Sequence, residues 1–212
     1  MDPNRRKRNE MAAQRVIKGL ESRNMEGYYA ESKEEALKKA LELIPEGSSV
    51  GWGGSMSIKE MGLLDAVCSG NYTVYNRDIC KTPEEKRKTQ LQIFTSDYFL
   101  CSTNAITEDG VLVNVDGTAN RVACISWGPA NVVMIVGMNK LVKSVEDAIS
   151  RARHEAAPIN AQRFGLDTPC SKTGVCANCK SPDTVCCQVL VTRYSKEKGR
   201  IKVILVNDEM GF

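Results

Sequence analysis

The chain has 212 residues, 42% of them hydrophobic and 26% charged, with a formal net charge of +3. These values suit a soluble globular protein and exclude the disordered and membrane-embedded classes. The small positive charge does not call for a nucleic-acid partner. The run Arg5-Arg6-Lys7-Arg8 lacks interleaved aromatics and reads as a solvated, frayed terminus.

After Arg8 the chain enters an amphipathic pattern at Asn9 and Glu10 rather than an apolar h-region, so no signal peptide is expected. No apolar run is long enough to span a bilayer. Ser32-Lys33-Glu34-Glu35 has the form of a capping box, and Ala36, Leu37, Ala40, Leu41 and Ile44 recur at helical spacing until Pro45. Ser57 to Glu60 has the same form. Tyr72–Tyr75 reads as a strand, and Thr82-Pro83-Glu84-Glu85 starts a helix with proline at its first position. Strands are expected at Asp97–Cys101 and, after the turn Glu108-Asp109-Gly110, at Val111–Val115. The wholly apolar Val132–Val136 suits a central strand buried on both faces. A helix starts at Ser144. Alternating strands and helices imply βαβ units. The expected fold is α/β, a three-layer domain with a mostly parallel sheet, to about residue 160. A Cys-rich loop at 165–187 and a C-terminal hairpin at 188–212 complete a single domain over 1–212. Gln188–Tyr194 and Arg200–Val206 would be the hairpin strands.

Two glycine turns lie between a strand and a helix. In the first, Gly51, Gly53, Gly54 and Ser55 precede a helix start, whose free N–H groups and positive dipole end suit a phosphate, a carboxylate or the pyrophosphate of coenzyme A. The spacing is neither the dinucleotide fingerprint nor a P-loop, and a tight turn without ligand accounts for it as well. In the second, Asp116, Gly117, Thr118, Asn120 and Arg121 follow a strand and start a helix at Thr118. In open α/β sheets ligands bind at the carboxyl ends of strands, where two such turns could meet. Arg121 offers a fixed charge for a substrate carboxylate.

The tail holds Cys170, Cys176, Cys179, Cys186 and Cys187. Nine cysteines in a cytoplasmic chain point to metal or redox chemistry rather than disulfides. Cys176 and Cys179 have metal-knuckle spacing, and Cys170 with either Cys186 or Cys187 would complete four ligands. All-thiolate ligation suits structural zinc or a 4Fe–4S cluster, and a redox dithiol is the third reading. Cys68, Cys80, Cys101 and Cys124 sit in apolar surroundings and read as core. The one histidine, His154, lies in a charged helix and reads as a surface residue, which makes a Ser-His-Asp triad improbable. Acid–base work then falls to Glu108, Asp109 or Asp116, with Lys140 as a cation after the apolar strand.

The run from Gly51 to Ser57, the run from Ala105 to Leu112, Asn120-Arg121 and the strand from Asn131 to Gly137 resemble the LUD-domain (lactate-utilization) family from about residue 10 onward. The resemblance implies a NagB/RpiA/CoA-transferase-like fold whose glycine turns hold a small carboxylate or phosphorylated substrate. It also implies oxidation of L-lactate or a related 2-hydroxy acid to the keto acid, with iron–sulfur partner subunits. A homo-oligomer is a separate expectation, on which the sequence is silent. In this resemblance Glu108 takes a catalytic acidic position. Here Asp-Gly follows it where better-known members have Thr-Gly. The ferredoxin-type cysteine motifs of some relatives are replaced by the compact tail cluster. The alternative is a non-redox enzyme or binding protein for a small carboxylate, sugar phosphate or CoA ester, with structural zinc.

Overall fold

The computed structural model describes residues 1–212. It opens with helix α1 (Pro3–Glu21), whose first turns carry the basic run expected to fray. Asp2 caps it by accepting from the N–H groups of Asn4 and Arg5, with proline at the first helical position. Arg6 also pairs with Glu31 at 2.9 Å. Next come β1 (Glu26–Ala30), α2 (Lys33–Glu42), β2 (Ser49–Trp52), α3 (Met56–Glu60), α4 (Leu63–Ser69), β3 (Thr73–Tyr75) and α5 (Pro83–Phe94). The chain continues through β4 (Tyr98–Cys101), β5 (Ala105–Thr107), β6 (Leu112–Asp116), α6 (Asn120–Ser126), β7 (Asn131–Gly137) and β8 (Leu141–Val142). Helices α7 (Val145–Arg151) and α8 (Ala157–Arg163) run on through a π-helical segment, Ala152–Ala156. Short α9 (Pro169–Thr173), β9 (Gln188–Thr192) and β10 (Ile201–Val206) close the chain.

Six strands form a parallel sheet in the order β1-β10-β7-β4-β2-β3. Successive residues of β7 point to opposite faces, as strand geometry requires. Val132, Met134 and Val136 join Ala12, Val16 and Leu20 of α1 on one side, while Val133 and Ile135 join Ala36 and Ala40 of α2 and Ile58 of α3 on the other. Two cores therefore sandwich one sheet between helices, which is the three-layer arrangement expected. A second sheet, β8-β5-β6-β9, stands beside it under α7.

The last two strands correct the expected hairpin. They do not pair with each other. β9 lies antiparallel to β6, and β10 enters the main sheet between β1 and β7. The cause is apolar content. Ile201-Lys202-Val203-Ile204-Leu205-Val206 is buried at every position except the half-buried Lys202, so both faces need cover. β9 alternates and leaves Val189 and Val191 exposed, which suits an edge.

Candidate functional site

A cavity of about 680 Å³ opens over the carboxyl ends of the strands. The segment after β2 supplies Gly54, Ser55 and Met56, and the segment after β4 supplies Ser102, Thr103 and Asn104. The end of β6 and the turn after it supply Val115 to Arg121, Lys140 follows β7, and α5 and α8 close the sides. Asp116, Gly117, Thr118, Asn120 and Arg121 thus meet Gly54 and Ser55, as the two-turn argument expected.

Gly51 and Gly53 lie behind the wall. A Cβ on Gly51 would sit 2.5 Å from Cγ1 of Ile93, so this glycine lets α5 pack on β2. One on Gly53 would sit 3.0 Å from the Phe99 ring and 3.1 Å from the Arg121 stem. The helix after this turn is capped by Ser55, not Ser57. Ser57 is buried inside α3, and its hydroxyl donates to the Met210 carbonyl at 3.1 Å.

Asp116 caps the second turn. Its Oδ1 accepts from the N–H groups of Thr118 at 3.1 Å and Ala119 at 2.9 Å, and its Oδ2 from Val122 at 3.3 Å. The N–H groups expected to face a ligand are therefore taken by this carboxylate. The residue expected as a base has both oxygens committed. Helix α6 starts at Asn120, after Ala119 adopts a left-handed φ of 64°. Arg121 is likewise tied in. It donates to the carbonyls of Ser102 at 3.0 Å and Val115 at 2.6 Å, and to the side-chain oxygens of Asn104 and Asn114. Burial lowers its pKa, and the neighbouring charge of Arg77 adds to the effect, against Cys101 and Asp116.

Glu108 is not brought to the cavity. It lies on the β5–β6 turn, 3.9 Å from Arg15 of α1. That turn is a docking point for α1. A Cβ on Gly110, which has φ +86°, would sit 2.6 Å from the Leu20 nitrogen, and Gly19 meets the Asp109 backbone just as closely. Arg23 clasps the same turn through the Asp109 carbonyl at 2.7 Å and the Asp109 carboxylate. His154 is exposed and bonds within its own helix to Ser150.

The charge of the wall was mostly hidden in the sequence. Arg77, Lys86, Arg87, Arg121, Lys140 and Arg163 line the cavity, with Asp116 the one acidic side chain among the lining residues. Arg77 keeps its Nε buried with no hydrogen-bond partner, 3.6 Å from the Asp78 carboxylate. Gly54 makes room for it, since a Cβ there would sit 3.1 Å from Nη2. Burial lowers the Arg163 pKa, and Arg77 lowers it further. Two like charges are thus held close in partial desolvation, which an anion between them would relieve. Lys86, Arg87 and Gln90 lie on one face of α5, a helical spacing that could have been read from the sequence. Arg77 and Arg163, far apart in sequence, carried no such signal.

Lys140 sits at the cavity floor. It is 2% exposed, and Nζ donates to Ser57 Oγ and Ser102 Oγ, both at 3.0 Å. Burial first, then Arg151 and Arg121, push its pKa down to about 7.

The Cys-rich loop forms part of the wall through Val185. Burial, then Cys176, Cys170 and Cys179, push the Cys186 thiol up to about 11. Cys187 is exposed and turns to the Thr184 carbonyl. No three thiols, carboxylates or imidazoles are arranged as a metal-binding group. Of the four cysteines expected in the core, Cys101 and Cys124 are buried there, while Cys68 is exposed and Cys80 half-buried.

A LUD domain model matches residues 13–206. The chain belongs to the LUD domain family. Among solved structures, this LUD domain is similar to a DUF162 family protein from Deinococcus radiodurans, with TM-score 0.54 and 10% identity over 93% of this chain and 98% of that one. At that identity the likeness concerns the fold. eIF2B delta from Chaetomium thermophilum is more distant, with TM-score 0.35 and 14% identity over 66% of this chain and 54% of that one. No curated protein matches the chain. No helix is long and apolar enough to cross a membrane.

Proposed function

We propose that this LUD domain binds a small organic molecule carrying two or more negative charges, of the sugar-phosphate or CoA-ester class. The observation that carries the reading is the closeness of the Arg77 and Arg163 charges in a wall of six basic residues with one acidic side chain. The volume of about 680 Å³ falls in the ordinary range for small-molecule sites, and Met56, Phe164 and Phe212 give an organic portion apolar cover. Calorimetry with coenzyme A, pyrophosphate, ribose 5-phosphate and L-lactate tests it. A multiply charged ligand should bind more tightly than lactate, and more weakly as salt rises. Arg77→Ala should weaken it by about tenfold or more, as loss of a charged hydrogen bond does. Equal affinity in Arg77→Ala, or tighter binding of lactate, overturns the reading.

A second reading makes the chain part of a system oxidising L-lactate or a related 2-hydroxy acid, with a metal or iron–sulfur centre in the Cys-rich loop. Family membership favours it, as does the gathering of Cys170, Cys176 and Cys179 about Cys186. Four thiols are a donor set suited to zinc or to iron–sulfur chemistry. A bound ion would have to draw them closer than they now stand. Cys186 fits the fourth position better than the exposed Cys187. Such a centre would supply electron transfer if it held iron, and would be structural if it held zinc. Redox partner subunits belong to this reading alone.

A further inference from the structure

Lys140 has no carboxylate within ion-pairing distance, although it is almost wholly buried. A buried cation without a counter-ion is costly and tends to lose its proton instead. Its side-chain partners are hydroxyls. Nζ stands 3.0 Å from Ser57 Oγ and 3.0 Å from Ser102 Oγ, and the two hydroxyls are 3.4 Å apart. Ser57 is sealed inside α3, whereas Ser102 and Lys140 both line the cavity. Ser102 follows the last residue of β4, at the carboxyl edge of the sheet. Arg121 holds its carbonyl at 3.0 Å and so fixes the backbone that carries the hydroxyl. This places a serine and an amine in one hydrogen-bond network at the edge of a cavity lined by basic side chains.

We propose that Ser102 and Lys140 form a nucleophile–base pair that accepts an acyl group from an ester or thioester whose anionic part occupies the cavity. The Ser102 hydroxyl donates to the Ile135 carbonyl at 2.6 Å, and it turns from there to the neutral Lys140 Nζ 3.0 Å away, which takes its proton as Oγ attacks the acyl carbonyl. The carbon–sulfur or carbon–oxygen bond of the ester breaks, and Lys140 returns the proton to the leaving thiolate or alkoxide. Water then attacks the acyl-serine, giving one proton to Lys140, which passes it to Ser102 Oγ as the acid leaves. Serine and amine end as they began, and no oxidant is needed. Neutral amine is available near neutrality because burial, Arg151 and Arg121 lower the Lys140 pKa to about 7, against Glu60 and Cys101, which raise it. The identity of the leaving group rests on the polyanion reading of the cavity. The nucleophile does not.

A small fluorophosphonate, which has no anionic tail, separates the two. Incubated with the full chain, it should add once, and peptide mass spectrometry should place the adduct on Ser102. Ser102→Ala should abolish labelling, and Lys140→Met should slow it by about 100-fold, the range lost with a general base. The wild-type rate should rise with pH through a midpoint near 7. Circular dichroism and pyrophosphate calorimetry on each variant report whether fold and cavity survive. If Lys140→Met does not fold, the wild-type pH midpoint and the Ser102→Ala control carry the test. Absence of an adduct in wild type, an adduct on Ser57, or a rate flat from pH 5 to 9 would overturn the pair. Pyrophosphate binding that persists in those cases leaves the polyanion reading standing. Labelling of Ser102 without any anion binding removes that reading and keeps the pair.

Discussion

At the scale of single residues, the unusual feature is an amine almost wholly buried at the cavity edge without a carboxylate partner. In the unfolded chain Lys140 has its ordinary pKa of 10.5, and in the fold burial depresses it to about 7. Between those values the unfolded state binds a proton that the folded state does not. Unfolding is then favoured by acid, and stability rises with pH across that window. Below about pH 7 both states are protonated and the full penalty applies, on the order of 5 kcal/mol. Lys140→Met removes the penalty. It also removes hydrogen bonds to two serines, each worth about 1 to 2 kcal/mol. The variant should therefore be more stable than wild type by roughly 2 kcal/mol at pH 6.5. That gain should shrink steadily and reverse by pH 10. Urea unfolding across this range measures the difference. A difference that does not change with pH would mean that Lys140 keeps an ordinary pKa in the fold, and the neutral amine needed beside Ser102 would be lost with it.

At the scale of elements, glycine turns that look alike in sequence do different work. Gly54 clears space for the Arg77 guanidinium, while Gly51, three residues earlier, admits Ile93 of α5. Gly51→Ala should therefore destabilise the protein by about 1 to 3 kcal/mol, the usual cost of overpacking. It should leave pyrophosphate affinity within about twofold when compared by calorimetry below the transition, because the side chain it displaces faces away from the ligand. A large loss of affinity with no loss of stability would return Gly51 to the site. The contrast marks how much could be read in advance. Helix caps at Ser32, Thr82 and Ser144 were legible because the signal is local, a hydroxyl three residues before an acceptor side chain or N–H. The apolar β7 announced its burial for the same reason. The carboxyl-end turns were legible as places but not as chemistry. Asp116 turns back on its own helix start, where Ala119 takes a left-handed φ of 64° that composition does not encode. Glu108, given an acidic catalytic position by the family resemblance, lies outside the cavity on a turn packed against α1.

At the scale of the whole molecule, the partners were the part sequence could not assign. β10 follows the Cys-rich loop and β9, yet it fills the gap between β1 and β7. The chain must therefore leave the small sheet after β9 and return to the main one through residues 193–200, while the loop at 165–187, which precedes β9, gives the cavity wall Val185. Its regular structure is confined to α9, and Val185 and Cys186 pack under α7 while Val185 also faces the cavity. A loop with so little regular secondary structure gains order from whatever cross-links its thiols. If Cys170, Cys176, Cys179 and Cys186 hold a metal, protein purified without oxygen should contain zinc, or iron with acid-labile sulfide and visible absorbance. Cys186→Ser should then lower the metal content and speed hydrogen exchange across 165–187, with the β4 and β7 amides unchanged. Because Val185 is part of the wall, the same variant should weaken pyrophosphate binding by a few fold. Iron with sulfide would direct the search to L-lactate and other 2-hydroxy acids, and zinc to non-redox substrates. Protein that folds, binds pyrophosphate and carries neither metal would leave the cysteines as free thiols and remove the electron-transfer reading.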